Sequence, residues 1–210
     1  MNVIGTIIQF FQSGGAFMYP IILVLILGLA ISIERWLFLA SSHKANRNLW
    51  ASLLPQLNAG DLAGASQRAN DSDTAIGRVL GHGLSRSQGG GNRQDVEMAM
   101  EESLMEVMPL LEKRTHYLAT FANIATLLGL LGTIIGLIKG FTAVANVNPA
   151  EKADLLSASI SVAMNTTAFG LIAAIPLLLL HAWLTTKTSE LVDSLEMAAV
   201  KLINVLGNRG

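Results

Sequence analysis

The chain has 210 residues, of which 51% are hydrophobic and 14% are charged, and its mean hydropathy is +0.50. This composition is too apolar for an ordinary soluble domain and predicts an integral membrane protein. A net charge of −1 argues against a nucleic-acid-binding protein, because phosphate binding needs a basic face. The absence of cysteine excludes disulfides, thiolate metal sites and cysteine nucleophiles.

Three apolar stretches are long enough to cross a hydrocarbon core of ~30 Å at ~1.5 Å per helical residue. We place these transmembrane helices at 17–40, 118–145 and 155–186. The preceding residues 1–16 read as an amphipathic segment without the pattern of a cleaved leader. The predicted fold class is therefore all-α, with three membrane spans extended by cytoplasmic helices.

Lys and Arg are unevenly distributed along the chain and predict its orientation. They are concentrated between the first two spans and after the third, whereas residues 1–16 contain neither. By the positive-inside rule, residues 1–16 and the connector 146–154 are periplasmic. The helical region 41–117 and the C-terminal helix 187–210 are then cytoplasmic.

The cytoplasmic region carries its own helix signals. Asp61 follows Gly60 and is placed to cap a new helix, and the run Gly89–Gly91 predicts a break. From Arg93 onward apolar residues recur at helical spacing, which predicts a helix running straight into span two, with Pro109 as a kink.

Glycines repeat every four residues in span two and form a smooth stripe that another helix can approach closely. Span three offers small residues of its own, including Ala174. Packing between helices is the common explanation for such a stripe. The predicted packing set is Gly129, Gly132, Gly136, Gly140 and Gly170.

Polar side chains in span three do not share one face. Ser157, Ser161 and Asn165 lie together at ~100° per residue, whereas Thr166 lies nearly opposite and Thr167 falls between. A hydroxyl that bonds back to its own helix explains any one of them. The whole cluster indicates protein or water on several sides of the helix, and hence subunit partners.

Spans two and three contain no Asp or Glu, so the carboxylate of an ion path would have to come from elsewhere. Glu34 and Arg35 lie at the inner end of span one, where we expect a structural ion pair or snorkelling. His181 falls near the inner interface, and a proton-relay role is the minority interpretation. No residues suit a metal site, cofactor or enzyme active site.

The segments LATFANIATLLGLLGTIIGL and SVAMNTTAFGLIAAIP resemble the MotA/TolQ/ExbB ion-channel family, and are most similar to its ExbB and TolQ branch. The resemblance implies a homopentamer in the bacterial inner membrane around a dimer of a single-span ExbD-like or TolR-like partner with a membrane Asp. Proton or sodium flow through it would drive a periplasmic TonB-like or TolA-like protein. A motility stator subunit and a non-conducting membrane scaffold stay open as alternatives. The short outer connector favours an uptake or envelope-maintenance engine over a motility stator.

The resemblance assigns pore-facing roles to Thr133 and Thr167. This chain departs from the family pattern at Val162, where relatives often carry Glu, and at His181-Ala182, which replace a Tyr-Asn pair. The family's Ala-Pro before the span-two motif is here Ala125-Thr126. The predicted ion pathway comprises Thr126, Thr133, Ser161, Asn165, Thr166 and Thr167.

The same residues bear on which cation is carried. Neutral oxygens at Thr133, Thr166, Thr167 and the side-chain carbonyl of Asn165 favour a transient sodium site over protons, because sodium exchanges its hydration shell for oxygen ligands. A single partner Asp with a water chain would suffice for protons. The choice between H+ and Na+ therefore stays open.

Overall fold

The computed structural model describes residues 14–145 and 147–207, and over these ranges every regular element is an α-helix. This confirms the all-α prediction. The six helices are α1 (Met18–Ala59), α2 (Leu62–Asn70), α3 (Ala75–Gln88), α4 (Arg93–Glu112), α5 (His116–Ala145) and α6 (Lys152–Gly207). Most of the predicted N-terminal segment 1–16 lies outside the described residues.

Three helical stretches are long and apolar enough to cross a membrane, and they fall in α1, α5 and α6. Large apolar side chains on them, such as Leu23, Ile138 and Leu179, are more than half exposed. Such surfaces suit lipid, where the backbone of a helix is satisfied internally. The structure thus has three long apolar helices at the predicted spans, consistent with a membrane protein. Helices α1 and α6 continue well past residues 40 and 186, and both the bounds of the spans and the cytoplasmic position of these extensions stay predictions.

The short helices start where their caps satisfy free backbone N–H groups. The Asp61 side chain accepts a hydrogen bond from the Gly64 N–H at 2.9 Å, as its position in the sequence predicts. Asn92 and Asp95 form a reciprocal capping box at the start of α4. Gly90 lies between α3 and α4, within the predicted glycine run. It adopts φ 80°, a conformation that interrupts the helix.

The expected continuous helix from Arg93 into span two is interrupted. α4 passes through Pro109 and ends at Glu112, and a turn precedes α5. In that turn Arg114 has φ 67°, a left-handed conformation that no α-helix can contain. The interruption therefore lies at residues 113–115 and not at the proline.

The chain divides into two compact units. One comprises the described residues of Met1–Ile33 with Arg114–Ala182, and its core contains Ile21, Ala122, Ala125, Ala173, Ala174 and Leu177. The other comprises Glu34–Lys113 with the described residues of Trp183–Gly210. Its buried side chains include Leu53, Leu80, Met100, Leu191 and Leu202.

Candidate functional site

Within the first unit, α5 and α6 approach each other at backbone distance. A Cβ built on Gly129 would lie 3.2 Å from the Cα of Gly170, and one on Gly170 would lie 2.7 Å from the carbonyl oxygen of Ala125. Only glycine at both positions leaves room for this approach. The glycines expected to serve packing are thus placed at the tightest part of the interface.

The rest of the glycine stripe meets span three in register. Gly136 faces Ala163, whose Cβ would be 2.9 Å from an added methyl group, and Gly140 faces Ser159 at 2.6 Å. Gly132 is covered by the methyl group of Thr166. Ridges of small side chains therefore fit the glycine groove along several turns of both helices.

Two threonine hydroxyls meet across this interface. The Oγ1 atoms of Thr133 and Thr167 lie 3.0 Å apart. Thr167 Oγ1 is also 2.9 Å from the carbonyl oxygen of Gly129, and Thr133 Oγ1 is 2.7 Å from that of Leu130. The structure therefore brings together the two threonines that the resemblance selects, around a close glycine contact that lets their short side chains touch.

A proton count shows what this pair can do. Each hydroxyl has one hydrogen and two acceptor lone pairs. If Thr133 donates to Thr167, then Thr167 donates to the Gly129 carbonyl; if Thr133 donates to the Leu130 carbonyl, its oxygen can accept from Thr167. Both arrangements leave lone pairs unused, and both side chains are half-buried. The pair can therefore accept a hydrogen bond from a further group or water.

Thr166 is occupied elsewhere. Its side chain is 2% exposed, and Oγ1 lies 2.6 Å from the carbonyl oxygen of Gly14 and 2.9 Å from that of Val162. Its single hydrogen can serve one carbonyl at a time. Thr166 thus binds the segment before α1 to α6. A sodium site shared with the threonine pair would require its hydroxyl to face that pair, and it faces these two carbonyls instead.

The remaining pathway candidates are not gathered at the pair. Thr126 is exposed, and its hydroxyl donates to the Ala122 carbonyl of its own helix at 3.1 Å. Ser161 is exposed and Asn165 is half-buried. Their roles in an ion path stay predictions.

Comparison with known proteins decides the family. The profile of the MotA/TolQ/ExbB proton channel family matches residues 71–197, which is more than half of the chain. The chain belongs to this family. The matched region includes all of α5 and most of α6, and so contains Thr133, Thr167 and the glycine interface of this MotA/TolQ/ExbB member.

Individual relatives agree with the family match. The chain is 28% identical to the putative biopolymer transport protein ExbB homolog of Methanothermobacter thermautotrophicus over 99% of its own length and 76% of the relative's. It is 31% identical to the putative biopolymer transport protein ExbB-like 1 of Synechocystis sp. over 87% and 72%. The Tol-Pal system protein TolQ of Haemophilus influenzae is 30% identical over 44% of this chain and 40% of TolQ. The predicted resemblance to the ExbB and TolQ branch is confirmed.

In this MotA/TolQ/ExbB protein Arg35 is buried and does not snorkel. Arg35 is 2% exposed and donates to the carbonyl oxygen of Leu111, one of the last carbonyls of α4, which no residue of that helix can satisfy. Its guanidinium also lies 4.5 Å from the ring centre of Phe38. Glu34, the adjacent candidate, is exposed. Arg35 therefore packs within the second unit and caps a helix.

Within the first unit, His181 makes a defined contact. Its Nδ1 lies 3.1 Å from the carbonyl oxygen of Thr115. A carbonyl only accepts, so Nδ1 carries the hydrogen and donates.

Sequence reasoning did not single out two backbone groups that bond the threonines of span three. The Gly14 carbonyl accepts from Thr166, and the Gly14-Gly15 pair was its only signal in the sequence. The Gly129 carbonyl lies beside Thr167.

Proposed function

We propose that this chain is the channel-forming subunit of an inner-membrane complex that converts the proton motive force into work on a periplasmic TonB-like or TolA-like protein. Membership of a proton channel family supports the ion path. The names of the relatives, biopolymer transport protein and Tol-Pal system protein, support an uptake or envelope-maintenance engine.

The observation that carries this proposal is the Thr133–Thr167 hydroxyl pair, with its oxygens 3.0 Å apart between two apolar helices. Burying polar groups in a membrane is costly unless they are hydrogen-bonded or serve a path. Glycine and alanine alone would suffice for packing, as they do at Gly129, Gly170 and Ala163. Hydroxyls with spare lone pairs at this point suit a cation path better than a purely structural contact.

Spans two and three contain no Asp or Glu, which supports a carboxylate supplied by a partner chain. We propose a single-span ExbD-like or TolR-like partner whose membrane Asp lies beside the threonine pair, within a homopentamer of this subunit. The pair would then accept a hydrogen bond from the protonated carboxyl or donate to the carboxylate. A hydroxyl can do both, so the pair can serve each protonation state in turn.

We propose protons as the carried ion. The case for sodium counted Thr166 among the ligands, and its hydroxyl is directed at the Gly14 and Val162 carbonyls instead. The pair alone offers few oxygens to replace a sodium hydration shell. A carboxyl group and a short chain of hydroxyls and water suffice for a proton.

The proposal is tested on the complex of this chain with its partner in proteoliposomes. Thr133→Val and Thr167→Val delete one hydroxyl each while nearly keeping the shape of the side chain, and we expect each to remove most of the proton flux. Thr142→Val is the matched control, because that exposed hydroxyl donates to the Ile138 carbonyl of its own helix. Full flux in both pair variants would contradict the proposal, and loss of the assembled complex would assign the pair to structure.

A further inference from the structure

A cavity of about 200 Å³ lies within the second unit, between α1, the start of α3 and the distal part of α6. This volume exceeds many-fold the ~10–15 Å³ that a single water requires. His43, Arg47 and Lys201 contribute the ionisable side chains of its wall, and none of the described residues that line it is acidic. The cavity is therefore large enough for a polyatomic ligand and is positively charged.

The two strongly basic groups of this cavity have no acidic partner in the part of the chain that the structure describes. Among the described residues, neither Arg47 nor Lys201 forms an ion pair. The Lys201 ammonium lies 5.8 Å from the ring centre of Trp50, another residue of the wall, and this contact holds the charge at the cavity. Two unpaired cations on one concave surface attract an anion.

Asn46 supplies an independent sign of a ligand. It lines the cavity and is 4% exposed. Its Oδ1 accepts a hydrogen bond from the Ile76 N–H at 3.2 Å, which fixes the orientation of the amide. Its Nδ2 is buried and has no hydrogen-bond partner among the described residues. A buried donor without an acceptor costs about 1–3 kcal/mol, and because Nδ2 is closed to solvent, an acceptor in the cavity would relieve this cost once the Asn46 side chain shifts toward it.

We propose that this cavity binds a phosphate group, held by Arg47 and Lys201 with the Asn46 amide as a further donor. A guanidinium recognises phosphate through two parallel N–H donors, and an ammonium adds a point charge. The site lies outside the unit that contains the threonine pair, and its binding does not depend on the proposed channel function.

The phosphate group has two chemical sources. One is a free phosphate or small phosphorylated solute. The other is an anionic lipid headgroup, because a second cavity of about 310 Å³ shares His43 and is lined by Trp36 and Trp183, whose rings suit a membrane interface. The experiment therefore has one arm for each source.

The first arm uses the full-length chain in its complex in detergent, titrated with inorganic phosphate and followed by Trp50 fluorescence in a Trp36→Phe, Trp183→Phe background. Arg47→Gln and Lys201→Gln should weaken binding about tenfold or more. Asn46→Asp keeps the acceptor for the Ile76 N–H but replaces the free donor with an acceptor, and should weaken it as well. Arg78→Gln, an exposed arginine on α3 that does not line the cavity, is the matched control.

The second arm places the same variants in nanodiscs of phosphatidylcholine with phosphatidylglycerol and counts retained phosphatidylglycerol by native mass spectrometry. Phosphate binding that the Arg47 and Lys201 variants lose supports a solute site. Phosphatidylglycerol retained by the native chain and lost in these variants, without binding of free phosphate, supports a headgroup site. Binding in neither arm, or equal weakening by Arg78→Gln, would overturn the proposal; thermal unfolding of each variant separates these outcomes from misfolding.

Discussion

The Cα of Gly129 lies so close to Gly170 that a Cβ added at Gly170 would come within 3.0 Å of it and within 2.7 Å of the Ala125 carbonyl oxygen. Both obstacles are backbone atoms, which cannot rotate away. We expect Gly170→Ala to destabilise the protein by about 1–3 kcal/mol, the usual cost of overpacking. Denaturation of the purified complex measures it. Gly89→Ala, where the nearest atoms would be 3.5 Å away, is the control, and equal stability of both variants would contradict the close contact.

Serine at either position of the threonine pair should preserve function. Thr133→Ser and Thr167→Ser keep the hydroxyl and lose only a methyl group, so we expect them to retain most of the proton flux that the valine variants lose. Because the two hydroxyls act through one hydrogen bond, the double valine variant should be little worse than either single one. Flux in proteoliposomes measures both effects, and additive losses would show that the two hydroxyls act independently.

The Lys and Arg distribution predicts the topology. A reporter fused after Asn92 should behave as cytoplasmic, and one fused within Asn148–Ala150 as periplasmic. Alkaline phosphatase and fluorescent-protein fusions at the same positions give opposite signals and serve as mutual controls. The reverse pattern would invert every orientation proposed for the chain.

Arg35 should be more sensitive to substitution than other arginines. Arg35→Met keeps an unbranched stem but removes the donor to the Leu111 carbonyl, and we expect a loss of roughly 1–3 kcal/mol of stability. Arg78→Met, at an exposed position, should change stability little. Thermal unfolding of the two variants makes the comparison, and a similar melting temperature for both would show that the buried hydrogen bond does not matter.

The carried ion can be tested directly. At fixed membrane potential and pH, we expect client activity to be unchanged when external sodium is replaced by potassium, because the threonine pair without Thr166 offers a poor sodium site. A sodium-independent reporter of the membrane potential controls for depolarisation. Activity that follows sodium, and that Thr166→Ala lowers selectively, would restore sodium as the coupling ion.

Sequence patterns predicted the spans and the caps because both depend on local residue types. Apolar length marks a membrane helix, and Asp61 marks a helix start whatever surrounds it. The turn at 113–115 could not be predicted, since the left-handed conformation of Arg114 has no glycine to signal it and the nearby Pro109 pointed to the wrong place. Thr166 looked like another pathway hydroxyl because its partner, the Gly14 carbonyl, lies 152 residues away in the sequence.

The Gly129 carbonyl belongs to a class of groups that point mutations cannot remove. It is one of the groups around the threonine pair, but it belongs to the peptide backbone and is present whatever residue the codon specifies. A saturating screen of point variants will therefore report the two threonines and overlook this oxygen, and any phenotype at codon 129 will reflect steric hindrance by the new side chain. Only replacement of the peptide bond itself, for example by an ester that weakens the acceptor, can reveal what this oxygen contributes.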